Sequence, residues 1–260
     1  MIPISDDNPT LRTPIVTIAL LITLGAVWIL VQGAGFDPQA LAASVCNWGM
    51  VPGEITGRAR VGMGVPLGGG MACLVDADPR NILTPVTSMF LHGGWGHLLG
   101  NALFLWVFGN NIEDSMGRFR FLAFYLVCGL AAAATQVAVD PASVVPMVGA
   151  SGAISGVLGA YLVLYPRVKV NVLFFVFVFV RIFKVPAWMM LLWWIGMQVL
   201  AGLPQVLSTQ PQASAGVAVW AHIGGFVAGA GLIKLFESQR LVKARLAAHG
   251  PRVVGAARPW

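Results

Sequence analysis

Charge is what this sequence has least of. Asp, Glu, Lys and Arg make up 10% of its 260 residues, where a soluble domain carries about 25%. With 57% hydrophobic residues and a mean hydropathy of +0.79, that scarcity excludes an ordinary soluble domain. No acidic residue falls inside any of the long apolar runs, and no internal repeat is evident. Both omissions argue against a proton-coupled small-solute transporter. There is no HExxH pattern and no Cys/His cluster, which removes the familiar zinc sites. No metal and no cofactor are therefore expected. Cysteine is rare too, at three: Cys46, Cys73 and Cys128.

What is present is apolar and glycine-rich. The 31 glycines suit tightly packed membrane helices. Residues 13–33 form an uncharged run long enough to span a bilayer. The preceding residues carry Asp6 and Asp7 rather than a basic cluster, so the run reads as a retained span and not a signal peptide. Residues 34–80 make a long, mixed connection, read as an ordered interfacial loop that holds Cys46 and Cys73. Further spans are expected at about 81–109, 119–139, 149–166, 186–203 and 217–236, inside a membrane domain covering 13–236. Residues 1–12 and the basic tail 237–260 flank it. Between spans, 110–120 reads as a charged turn braced by Glu113, Asp114 and Arg118. The stretch 167–185 has basic ends and an apolar middle too short to cross as a helix. It reads as interfacial, with strand and helix both open.

Six spans place both termini on one side. The net charge of +6 might suggest nucleic acid, but the basic residues partition by topology. Thirteen of the sixteen fall on the terminal side, and only Arg58, Arg60 and Arg80 on the other. The positive-inside rule makes the terminal side cytoplasmic. No nucleic-acid partner is expected.

The chemistry gathers in three spans. The fourth opens Gly149-Ala150-Ser151-Gly152, a serine set between small residues at a helix start. Its face Gly152, Gly156 and Gly159 allows close approach of another helix. The sixth carries His222, followed by Gly225 and Gly229 at the same small-residue spacing. Packed through glycine, these two helices bring an imidazole to the serine, which needs a base to act as a nucleophile. The second carries His97 and Asn101, four apart and on one helix face; both can donate to a developing oxyanion. By topology all of them lie in the outer half of the bilayer, where polar groups are costly and usually functional. A packing serine with a packing histidine is the plain alternative.

Taken in order, HGGWGHLLGN, GASGAISG and AHIGGFVAG make the chain resemble the bacterial type of rhomboid intramembrane serine protease. NNIEDSMGRFRFLAFYL, VPGEITGRA and the PAW opening of the fifth span are similar to the family as well. The resemblance implies an all-α membrane protein: a six-transmembrane-helix rhomboid-like bundle with a long interfacial first loop. It also implies a serine endopeptidase cutting transmembrane protein substrates near the outer side of the membrane. By motif, Ser151 is the nucleophile and His222 the base. His97, Asn101 and the Ser151 N–H form the oxyanion hole. Membrane lipids are the other partner, and a bacterial inner membrane the location. The alternative is a catalytically silent rhomboid-like membrane-protein binder, although such a protein would be expected to lack the serine or the histidine.

One position departs from the pattern. Some members carry an aromatic residue one turn after the serine, against which the base stacks; here it is Ser155. What orients His222 is left open. His92 is expected to be structural, bonding loop backbone. Trp193 and Trp194 are expected to serve lipid or packing. Cys46 and Cys73 share a loop where a disulfide is possible, but spacing does not decide whether they meet. Cys128, inside a span, is expected to stay reduced.

Overall fold

A computed structural model describes residues 2–68, 70–176, 179–207 and 218–250. In chain order it builds β1 (Ile2–Asp6), α1 (Ile15–Leu30), α2 (Pro38–Trp48), α3 (Pro52–Thr56) and a small hairpin of β2 (Gly64–Gly68) and β3 (Met71–Leu74). Then come α4 (Thr84–Thr87), α5 (Trp95–Phe104), α6 (Asn110–Met116), α7 (Arg118–Val139) and α8 (Ser151–Leu164). A hairpin of β4 (Lys169–Val176) and β5 (Phe179–Pro186) precedes α9 (Ala187–Leu207), α10 (Val219–Phe236) and α11 (Gln239–His249). Among the described residues α7, α9 and α10 are long and apolar enough to cross a membrane, and α1 and α8 are shorter apolar helices.

The expected second span is divided. Residues 79–94 hold only short helical turns, Pro79–Leu83, α4 and Ser88–Phe90 in succession, and the chain leaves helix from Leu91 to Gly94. Regular helix begins at Trp95, runs through a π-helical stretch Leu105–Gly109, and continues as α6. The segment expected to be a charged turn is therefore largely helix. Its two acidic residues are bonded within the fold, whereas Arg118, also expected to brace it, is exposed. Glu113 accepts the backbone N–H groups of Val16 and Thr17 at 3.0 and 2.8 Å. It thereby caps α1, whose first N–H groups have no partner within the helix. Asp114 accepts from Leu11 N–H at 3.0 Å and Arg12 Nε at 2.9 Å.

Close packing around α8 sets the geometry of the site. A methyl group on Gly225 would lie 2.0 Å from the Gly152 carbonyl oxygen, and one on Gly229 would lie 1.9 Å from that of Gly156. Only glycine lets α10 approach α8 so nearly. On its other side α8 meets α7, where Gly156 faces the buried Cys128.

The stretch left open between strand and helix is a hairpin. β4 pairs antiparallel with β5, Lys169 facing Pro186. The first residues of the chain add a third strand, β1 along β4, with Ile2 facing Leu173. The bundle is thus helical with a small sheet at the end remote from Ser151. There the described part of the basic tail folds back as α11, and Arg245 is fully buried. It donates to Asn111 Oδ1 at 2.7 Å, Asn8 Oδ1 at 2.8 Å and Tyr165 OH at 2.7 Å, and pairs with Asp114 at 3.2 Å. Beside it Asp6 accepts from Tyr161 OH and Asn111 Nδ2. Burial pushes the Asp6 carboxyl up to about 6.

The long first loop is ordered. Cys46 on α2 and Cys73 on β3 form a disulfide, their Cα atoms 5.1 Å apart. Cys128 is a buried free thiol.

Candidate active site

Ser151 stands at the first position of α8, just after a tight approach. Gly149 has φ +127°, and a Cβ there would lie 2.6 Å from His97 Nε2 and 3.5 Å from Ser151 Oγ. Both the backbone conformation and the contact with His97 require glycine. No side chain among the described residues caps the start of α8, so the N–H groups of its first turn are available to an anion.

His222 lies in the first turn of α10. Its Nε2 is 2.7 Å from Ser151 Oγ. Its Nδ1 is 2.8 Å from Gln198 Oε1 on α9. The Trp194 ring lies against the imidazole, with centroids 5.8 Å apart and planes tilted by 39°. These contacts answer what orients His222 in the absence of an aromatic side chain at position 155. Ser155 turns inward and donates to the Ser151 carbonyl at 2.7 Å. The two tryptophans separate: Trp193 is half exposed, while Trp194 packs inward on Phe104, Phe226 and His222.

His97 and Asn101 on α5 face the same space. His97 Nδ1 accepts from the Gly93 N–H at 3.4 Å, which leaves the ring proton on Nε2, the nitrogen nearest Gly149. Asn101 is buried, and its Nδ2 has no hydrogen-bond partner among the described residues. A buried donor without a partner is costly. A cavity of about 590 Å³ joins these groups, lined among others by His97, Asn101, Gly149, Ser151, Trp194 and His222. The Ser151 hydroxyl and the donor groups of His97 and Asn101 face this one space.

The expected site residues are all brought together. His92 differs from expectation in detail. Its backbone bonds Gln32 at both N–H and C=O, each at 2.8 Å. No side chain among the described residues bonds its ring nitrogens, and the ring packs edge-on to His97 at 5.2 Å. Gln198 and Trp194 are the site residues that sequence reasoning missed. The available signal was a glutamine within an apolar span, four residues after a tryptophan and so on the same helix face.

Fold and site together are those of a multi-pass membrane protein of an intramembrane-protease family. The Rhomboid domain profile matches residues 79–238, more than half of the sequence. The chain belongs to the rhomboid family. It is 42% identical over 81 residues to rhomboid protease GluP of Bacillus subtilis (strain 168), covering 31% of this chain and 15% of that protein. Rhomboid-like protein 11, chloroplastic, of Arabidopsis thaliana is 41% identical over 71 residues, 27% of this chain and 25% of that protein. Rhomboid protease AarA of Providencia stuartii is 33% identical over 97 residues, 32% of this chain and 34% of that protein. The matches thus span well under half the length of these relatives.

Proposed function

We propose that the chain is a serine endopeptidase that cleaves transmembrane segments by a Ser151–His222 pair. The carrying observation is the 2.7 Å contact between His222 Nε2 and Ser151 Oγ, made across two helices that glycine holds together. His222 takes the Ser151 proton as Oγ attacks the scissile carbonyl. It then gives a proton to the leaving amine, and water hydrolyses the acyl-enzyme by the same route. The tetrahedral oxyanion needs donors that are in place before charge develops. Asn101 Nδ2, whose N–H donors have no partner among the described residues, His97 Nε2 and the Ser151 N–H fill that role.

The remaining expectations belong to the same reading. The segments near 13–33, 81–109, 119–139, 149–166, 186–203 and 217–236 cross the membrane, and both termini are cytoplasmic. Substrates are single-span membrane proteins, and the location is a bacterial inner membrane. A helix shields its own peptide groups, so substrates with Gly or Pro near the outer end, which unwind at least cost, are cut best. The test is cleavage of a panel of single-span substrates by purified chain in liposomes, beside Ser151→Ala and His222→Ala. Cleavage by the parent and by neither variant supports the reading. Equal cleavage by Ser151→Ala would overturn Ser151 as the nucleophile, and no cleavage by the parent of any substrate that it binds would favour the silent binder.

A further inference from the structure

We propose that Gln198 is a positioning residue for the catalytic base, supplying from α9 the orienting bond that a carboxylate supplies in a three-residue serine site. The proposal rests on the Ser151–His222 reading above.

The bond fixes chemistry as well as place. An amide oxygen accepts hydrogen bonds and does not donate them. With Gln198 Oε1 at 2.8 Å, His222 Nδ1 carries the ring proton. Nε2 then presents its lone pair to Ser151 Oγ at 2.7 Å, the tautomer a general base requires. Trp194 sits four residues earlier on the same face of α9 and covers the imidazole. One helix therefore holds the ring by a hydrogen bond at its edge and by a tilted ring contact.

Nothing else among the described residues does this work. The two hydrogen-bond partners of the imidazole are Ser151 and Gln198, and Ser155 is bonded to its own helix backbone. A neutral acceptor also suits the setting. A buried carboxylate would carry a large desolvation cost in an apolar bundle, whereas an amide carries far less. The arrangement has a conformational corollary. Of the three long apolar helices α9 is the least buried, with 17% of its apolar window covered against 39% for α7 and 33% for α10. The base is set in its working tautomer only while α9 is docked.

The test compares Gln198→Leu and Gln198→Glu with the parent and with Ser151→Ala. The protein is the full chain in liposomes, and each variant is read by kcat and KM across pH, thermal unfolding and 15N-histidine NMR. His97 also lines the cavity; it is common to all variants and cancels in the comparison. For Gln198→Leu we expect kcat to fall by about 10-fold or more, a share of the roughly 10²–10⁴ that general-base catalysis contributes. KM should stay within about twofold, since a positioning loss falls on the chemical step. The parent spectrum should show one tautomer with the proton on Nδ1, and Gln198→Leu a mixture. Gln198→Glu should restore most of kcat and move the acid limb of the profile to higher pH, because a carboxylate favours the imidazolium. Parent-like kcat in Gln198→Leu, or losses in both variants with no shift of the acid limb, would overturn the proposal. If Gln198→Leu does not fold, the limb of Gln198→Glu decides alone: a shift supports the proposal and an unmoved limb ends it. Activity in Ser151→Ala would sink the underlying reading instead. Inactive Ser151→Ala beside an unaffected Gln198→Leu would sink only this proposal.

Discussion

A single methyl group at Gly225 should disable the site without touching a reacting atom. In Gly225→Ala the new Cβ would lie 2.0 Å from the Gly152 carbonyl oxygen. Relaxed C···O contacts are about 3.3 Å or more, so the helices must part locally by about 1.3 Å. Half of that shift, added to the 2.7 Å between His222 Nε2 and Ser151 Oγ, gives about 3.4 Å, beyond the roughly 3.2 Å limit for transfer to a base. Overpacking of this kind costs about 1–3 kcal/mol, too little to unfold most domains. Loss of the base should remove roughly 10²–10⁴ in kcat. Cleavage of a single-span substrate and thermal unfolding, measured side by side, separate the two effects. Gly231→Ala is the control: the same change on the same helix, where nothing lies within 4 Å of the added methyl. It should leave both quantities near those of the parent. Parent-like kcat and stability in Gly225→Ala would refute the claim that glycine contacts set the Ser–His distance.

Three further outcomes are expected. Asn101→Ala should lower kcat by roughly 10- to 1000-fold with KM little changed, as for a lost oxyanion donor; a change in KM alone would make Asn101 a packing residue. Cys46→Ser with Cys73→Ser should lower stability by about 3–4 kcal/mol, the loop-closure value for a separation of 27 residues, and peptide mapping without reduction should recover the 46–73 pair from the parent. Asp6 has a folded-state carboxyl pKa of about 6, raised from 3.8 mainly by burial. An acid raised on folding stabilises the protein below its unfolded pKa, and that stability is lost as pH rises toward the folded value. Unfolding scans should therefore show about 2–3 kcal/mol lost between about pH 4 and 6, a slope that Asp6→Asn should abolish.

Parts of this architecture were legible because local pattern and tertiary contact obey the same rule. Small residues at Gly152 and Gly156, matched by Gly225 and Gly229, announced that α8 and α10 could touch, and the paired serine and histidine followed. His97 and Asn101 were legible as one helix face. The charged stretch 110–116 was not, because Asn, Glu and Asp beside a glycine suggest a turn when their partners are unseen. Those partners, the start of α1, Arg12 and Arg245, are about a hundred residues away or more. The 169–186 hairpin stayed undecided for a similar reason. A short β-branched run has no distinguishing period, and one of its strand partners comes from the first six residues. Tail residues 251–260 lie outside the described residues, but Arg245 shows that a basic tail can be partly core. Gln198 and Trp194 escaped because their role exists only once α9 is set against α10.

The most direct measurement of the central claim is fluorophosphonate labelling of the purified chain, followed by peptide mapping. The account predicts one adduct, on Ser151, and none in His222→Ala, whose serine lacks its base. Labelling of His222→Ala at the parent rate, or an adduct on any residue other than Ser151, would contradict it.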